Sequence, residues 1–207
     1  MKNCKEKVQS IITITPDVLK IVTDKPATFD FEPEMATEIA INKNGWLIEK
    51  RPFTMTNLPN NKLLEFIIKT YPQYHGVTNE LLDLKKNEAL IPHSIFGTIT
   101  YKREGVFIAR GAAIMPFIAI LRALKEKNEI GANMLLFANK TKADIIHEQE
   151  LGALLGNQFI NKLSDVQFKG YSFLKITQKF LEENIKSFKK HFYLCSPPQM
   201  IEDIEKM

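Results

Sequence analysis

Hydrophobic and polar positions alternate in short runs through the first hundred residues, and the period then changes. Val8–Ile14 and Val18–Val22 are β-branched runs separated by the turn signal Pro16-Asp17. Thr37–Ile41 is a third run, closed by Asn42-Lys43-Asn44-Gly45. Leu63–Lys69 alternates, with Leu64, Phe66 and Ile68 on one face and Glu65 and Lys69 on the other. Gly97–Tyr101 reads as a last short strand, and Thr78–Leu84 as a helix capped by Thr78. Short strands at regular spacing predict a small antiparallel barrel.

Beyond Tyr101 the apolar run Val106–Ala109 suits a buried parallel strand. The small-residue turn Gly111–Ala113 leads into a helix reaching about Lys127, with Ile114, Phe117, Ile118, Leu121 and Leu124 on one face and Pro116 in the first turn. Strands are predicted at Met134–Ala138, Phe159–Leu163 and His191–Cys195. Helices are predicted at Lys142–Leu155 (Thr141 as cap, Gly156 as stop), Thr177–Ser187 and Pro198–Lys206. Strands alternating with helices imply a parallel sheet wound on both faces, with the domain boundary near Lys102-Arg103-Glu104.

Composition narrows the function more than the fold. Two cysteines, Cys4 and Cys195, stand at opposite ends of the chain, and four histidines are scattered, so no metal site is expected. A built-in iron–sulfur cluster needs about four thiolates, which places any such centre on a separate protein. The net charge of +4 permits an acidic partner and is far from a nucleic-acid signature. No run is long and apolar enough to span a membrane, and the opening MKNCKEKVQS has no signal-peptide core, so cytoplasm is the expected compartment.

Four stretches carry chemistry. A strand that turns on small residues into a helix, as at Gly111–Pro116, aims free N–H groups and the positive helix end at one point, which suits a phosphate. Arg51-Pro52-Phe53-Thr54 offers a phosphate-gripping fork, a flat aromatic face and a hydroxyl. Gly76-Val77-Thr78 frees backbone just before a helix. Cys195-Ser196-Pro197-Pro198 ends a parallel strand, where open α/β sheets bind ligands. Each also has a purely structural reading: barrel core at Phe53, a plain glycine turn, a proline-enforced turn with a buried thiol.

Taken in order, R-P-F-T, G-V-T, G-A-A-I-M-P-F and F-Y-L-C-S-P-P-Q-M resemble the ferredoxin–NADP⁺ reductase superfamily, nearest to small bacterial flavodoxin reductases, over essentially the whole chain. The resemblance implies β + α/β architecture: an antiparallel Greek-key flavin-binding barrel over residues 1–102, then a parallel-sheet NAD(P)-binding domain over residues 103–207. It further implies an enzyme that passes electrons from NAD(P)H through FAD, with FMN left open, to a flavodoxin- or ferredoxin-type carrier. Arg51 would hold flavin phosphate, Pro52 and Phe53 would pack on the flavin, Thr54 would bond near its reactive nitrogen, and Gly76, Val77 and Thr78 would cradle phosphate. Arg110, Gly111, Ala112, Met115 and Pro116 would form the nucleotide loop, with Lys140 near the adenosine ribose. Cys195 and Ser196 would flank the nicotinamide, Thr54 and Cys195 being the residues nearest the chemistry. Several positions depart from the family: Arg110 and Ala113 replace glycines, Met115 a threonine and Ser196 a glycine, and Pro33-Glu34-Met35 stands where P-G-Q is usual. Two other readings follow from these departures. One is a non-catalytic flavin-binding relative with an impaired nicotinamide site; the other is the reductase component of a larger oxidoreductase.

Overall fold

The computed structural model describes residues 5–97, 99–173 and 175–207; Cys4, and Thr98 within the strand expected at Gly97–Tyr101, lie outside them. The first half forms a six-stranded antiparallel sheet of β1 (Glu6–Thr15), β2 (Val18–Asp24), β3 (Ala36–Ile41), β4 (Arg51–Thr54), β5 (Leu63–Lys69) and β6 (Ala89–Phe96), ordered β4-β3-β6-β1-β2-β5. β2 pairs with β5 across the intervening β3 and β4 in Greek-key fashion. The sheet curls until Met55 bridges Phe66 and the Thr56 N–H donates to the Glu65 carbonyl at 2.9 Å, which brings its two ends together as a barrel. Its interior is filled by Val8, Ile21, Ile39, Met55, Leu64, Phe66 and Leu90, each essentially inaccessible to solvent.

Here the structure corrects the sequence reading. The last barrel strand is β6, not Gly97–Tyr101, whose described residues have no strand pairing. Pro92 conceals β6 from a pattern search, because a proline lacks the N–H a ladder needs. The sheet tolerates it at an irregularity where the register jumps between Thr37↔Ile95 and Ile39↔Pro92. The helix expected at Thr78–Leu84 is a single turn, α1 (Val77–Glu80), with Gly76 at its N-cap and Thr78 inside it rather than capping it.

The second half is a parallel sheet of β7 (Gly105–Arg110), β8 (Met134–Asn139), β9 (Phe159–Leu163), β10 (Ser172–Phe173) and β11 (His191–Cys195), ordered β10-β9-β8-β7-β11. Successive residues of β7 serve opposite faces. Phe107 and Ala109 pack under α2 (Met115–Glu126) and α3 (Glu148–Leu155), while Val106 and Ile108 pack under α4 (Gln178–Asn184) and α5 (Pro198–Glu205). Gly111–Ile114 forms a 3-10 turn joining β7 to α2. The single helix expected over Lys142–Leu155 is divided: a 3-10 turn at Lys142–Asp144, an extended Ile145, and His147 at φ 52° before α3 begins. The helix expected at Thr177–Ser187 ends at Asn184, and β10 was not foreseen because two residues carry no period.

The two sheets share a core. Val18 and Ile67 turn outward from the barrel into the cluster beneath α2 and α3, so β5 is buried on both sides, beyond the one-faced alternation read from sequence. The link between the halves is pinned by Tyr193, whose hydroxyl accepts from the Lys102 and Arg103 N–H groups at 2.9 and 3.0 Å and donates to the Arg103 carbonyl at 2.8 Å. No helix among the described residues is long and apolar enough to cross a membrane.

Candidate functional site

The C-terminal ends of β7 and β11 face the open end of the barrel, and the gap between them is a cleft of about 370 Å³. That size falls within the range of small-molecule sites. From the barrel come Pro52, Phe53 and Thr54 on β4, Lys69 on β5, and Thr78 on α1; from the parallel half come Ala112, Met115, Pro116 and Cys195. Eight residues singled out in four separated stretches of sequence thus line one space.

A second hollow of about 170 Å³ continues from it along the sheet edge, lined by Arg110, Gly111, Ala112, Asn139 and Lys140 on the parallel side and by Asp17 and Lys69 on the barrel side. Lys69 and Asp17 form an ion pair at the join. Gly111 adopts φ 53°, a conformation that favours glycine, with open space where a side chain would start. This turn therefore presents bare backbone to the groove.

Polar atoms at the sheet edge await partners. Asn139, 4% exposed at the end of β8, has neither amide atom hydrogen-bonded among the described residues; the buried Ser196 hydroxyl just after β11 is likewise unpaired. Unmet buried polar groups are costly, and a polar ligand along this edge would satisfy them. They fit a dinucleotide laid across the ends of β7, β8 and β11. The cleft proper, with Phe53 half-buried and Thr54 and Thr78 offering hydroxyls, fits a flat aromatic cofactor.

Not every expected contact points inward. Arg51 is exposed; it donates to the Lys50 carbonyl at 2.7 Å, lies 3.8 Å from Glu49 and does not line the cleft. The Val77 side chain is barrel core at 1% exposure, which leaves only its backbone for a ligand. Gly76 has open space around it. Burial pushes the Cys195 thiol up, so it stays protonated and serves as a neutral wall.

Sequence reasoning assigned no role to Glu34, Lys69, Tyr71 or Asn139, which line the cleft or its extension. Two of them carried a signal in sequence: Glu34 as a charged residue where the resembling family usually has glycine, and Asn139 as the neighbour of Lys140 after the second parallel strand. Burial, together with the neighbouring Glu32, pushes the Glu34 carboxyl up to about 7.

Comparison with known proteins agrees with this architecture. Residues 107–206 match the oxidoreductase NAD-binding domain family. The reductase component of propane 2-monooxygenase from Mycolicibacterium smegmatis is 25% identical, the match covering 98% of this chain and 62% of that protein. Human cytochrome b5 reductase 4 is 30% identical over 68% of this chain and 30% of its own length. The chain thus spans less than two thirds of these curated relatives. Among solved structures, a ferredoxin NADP⁺ reductase from Neisseria gonorrhoeae with bound FAD and NADP superposes with a TM-score of 0.84 at 15% identity, over 98% of this chain and 89% of that one. Its likeness is one of fold. The antiparallel barrel with the parallel sheet behind it is the fold of that reductase, and residues 107–206 of the chain are similar to the oxidoreductase NAD-binding domain.

Proposed function

We propose that this chain is a flavin-dependent oxidoreductase that takes electrons from NAD(P)H and passes them through bound FAD to a separate flavodoxin- or ferredoxin-type carrier in the cytoplasm. The barrel, residues 1–102, is the flavin unit, and residues 103–207 are the nucleotide unit. The observation that carries this reading is the convergence of Thr54, Phe53, Met115, Pro116 and Cys195 on one cleft. A flavin held there would supply the redox chemistry that links a two-electron hydride donor to one-electron carriers. The protein's own residues bind, orient and exclude water. Phe53 offers an aromatic face and Thr54 a hydroxyl bond to the ring edge. The backbone before α1 and the Thr78 hydroxyl hold phosphate, with Arg51 reaching it after swinging from its Lys50 contact. Gly111, Ala112 and the start of α2 receive the dinucleotide's pyrophosphate, aided by Arg110. Asn139 and Lys140 meet its ribose, while Ser196 and the neutral Cys195 wall the nicotinamide.

The test is direct. Purified protein loaded with FAD is expected to be yellow and to bleach when NADH or NADPH is added without oxygen. A protein that binds neither FAD nor FMN refutes the reading, and one that binds flavin but stays oxidised is a non-catalytic relative. Because the propane monooxygenase relative is named a reductase component, an oxygenase-type acceptor is the second reading. It is distinguished by which carrier accelerates turnover.

A further inference from the structure

Glu34 lies in the turn before β3 with φ 74°, left-handed backbone that a residue with a side chain rarely adopts. Strain of this kind persists where the surroundings hold it and clusters at functional positions. The surroundings here are explicit. Two residues on, Ala36 pairs with Thr54, and the Met55 N–H donates to the Met35 carbonyl at 3.0 Å, so the turn is bound to the end of β4. Glu34 is thereby set in the cleft wall alongside Thr54 and Cys195.

Behind that wall is a separate hollow of about 320 Å³ between the turn and the outer face of α2, lined by Glu32, Tyr101, Ile120, Leu124 and Lys127. Among the described residues, Glu34 is the one side chain that lines both spaces. It makes no ion pair among those residues, and the Met35 N–H is the one group that bonds its carboxylate. A half-buried carboxyl that lines both the cleft and the outer hollow is placed to carry protons from one to the other.

We propose that Glu34 is a proton relay between the cofactor cleft and solvent, an inference that rests on the flavin reductase reading above. Hydride transfer breaks a nicotinamide C–H bond and forms an N–H bond on the ring, moving two electrons and one proton together. One-electron carriers then remove the two electrons and no proton. The N–H proton must therefore leave the cleft as the electrons leave, and the Glu34 carboxylate accepts it as an O–H bond. It next releases it to water in the outer hollow, beside Glu32. Burial and Glu32 raise the proton affinity of Glu34, and the Met35 N–H lowers it; the other titratable and charged groups share the two hollows with it. Lys69 from β5, Tyr71 and the neutral Cys195 thiol stand on the cleft side; Glu32, Tyr101 and, from α2, Lys127 stand on the outer side. Lys69 is engaged by Asp17. Burial and the Glu32 charge raise the carboxyl to about 7, where it both takes and gives up a proton near neutrality.

Two measurements on the purified, flavin-loaded protein test this. Carbon-13 NMR titration of glutamate side chains is expected to show one carboxyl titrating near neutrality in wild type and missing in Glu34→Gln. A Glu34 signal that titrates in the ordinary carboxylate range overturns the proposal. In anaerobic stopped-flow, the reduced protein is oxidised by ferricyanide, which takes single electrons and no protons. Glu34→Gln, and Glu34→Gly as a variant that suits the left-handed backbone, are expected to slow this at pH 7 by about 100-fold and to lose the wild type's solvent deuterium effect. Wild-type rates in both variants overturn the relay. A protein that takes up no flavin overturns the reductase reading instead, while the titration still reports on the carboxyl.

Discussion

Met115 and Arg110 show single residues answering to more than one demand. Met115 stands where relatives have a threonine, yet it is 6% exposed and packed into the core under α2 as well as lining the cleft. Restoring a hydroxyl there exchanges apolar packing for one hydrogen bond, so Met115→Thr adds nucleotide affinity only at the expense of stability. Arg110 is free of that conflict: exposed at the end of β7, it faces the groove beside Gly111 and Lys140. A guanidinium there replaces what a glycine turn offers through backbone alone with a charge-assisted contact. Arg110→Ala is expected to weaken NAD(P)H binding by roughly 10-fold or more, the worth of one such bond of about 1.5 kcal/mol or above. Anaerobic titration of flavin-loaded protein checks this; unchanged or tighter binding shows that Arg110 is bulk rather than ligand.

At the scale of elements, the turns at the C-terminal ends of the strands matter more than the strands themselves. The segment after β8 is held by Asp144, whose carboxylate accepts from the Thr141 N–H at 2.8 Å and from its hydroxyl at 2.7 Å. That clamp ends the 3-10 turn early and lets Ile145 bury itself at 7% exposure before α3 starts. It also fixes the groove's edge, because Lys140 adjoins Thr141. Asp144→Ala removes both bonds and the negative charge at the turn's N-terminus. It is expected to destabilise the fold by about 1–2 kcal/mol, read as a lower urea midpoint, and to weaken nucleotide binding through the loosened loop. A variant with the wild-type midpoint shows that Ile145 packing alone sets the turn.

The whole molecule depends on how the halves are joined, since cleft width is set by their relative placement. Arg122 on α2 is the principal polar tie: it donates to Glu65 on β5 at 2.6 Å, to the Thr56 carbonyl at 2.8 Å, and to both oxygens of Glu150 on α3 at 2.6 and 2.8 Å. Removing one partner strands the other charges. Arg122→Ala is expected to cost about 2–3 kcal/mol, below the 3–5 of a wholly buried pair because Arg122 and Glu150 side chains keep 19% and 30% of their surface in water. Hydrogen bonding to Arg122 holds the Glu150 carboxyl below its usual range. At Glu65 burial is the largest single influence and pushes upward, but the Arg122 charge and hydrogen bond, with Thr56 and Lys20, together bring it lower. Depressed carboxylates contribute stability above their unfolded value near 4.5 that is lost as pH falls through the folded value. Burial holds His147, 3.3 Å from Glu150, below 6.5, so its contribution is likewise present above 6.5 and lost on acidification. Thermal melting from pH 8 to pH 3 is therefore expected to show a fall steeper in wild type than in Arg122→Ala. Parallel curves show that the tie carries no pH dependence.

Local pattern sufficed for everything that a few neighbouring residues decide. The run Val106–Ala109 is apolar because a central parallel strand is covered on both faces, and it, Phe159–Leu163 and His191–Cys195 form strands where the pattern placed them. Gly111 and Pro116 marked the turn into α2 because backbone freedom and a missing N–H are properties of single residues. Eight of the expected site residues meet in one cleft on the strength of those local signals. What sequence alone left undecided depends on partners far along the chain. Pro92 sits within a strand only because β3 supplies an irregular register opposite it. His147 divides the expected helix through a left-handed backbone that no period announces. Val77 belongs to the barrel core and Arg51 to the surface because packing, not motif, chose their directions. Arg122 and Glu65 are ordinary charged residues in their own segments, and become a tie between domains only when α2 meets β5. Glu34 reads in sequence only as a departure from a usual glycine; its place between two hollows exists only once the barrel has closed against the parallel sheet.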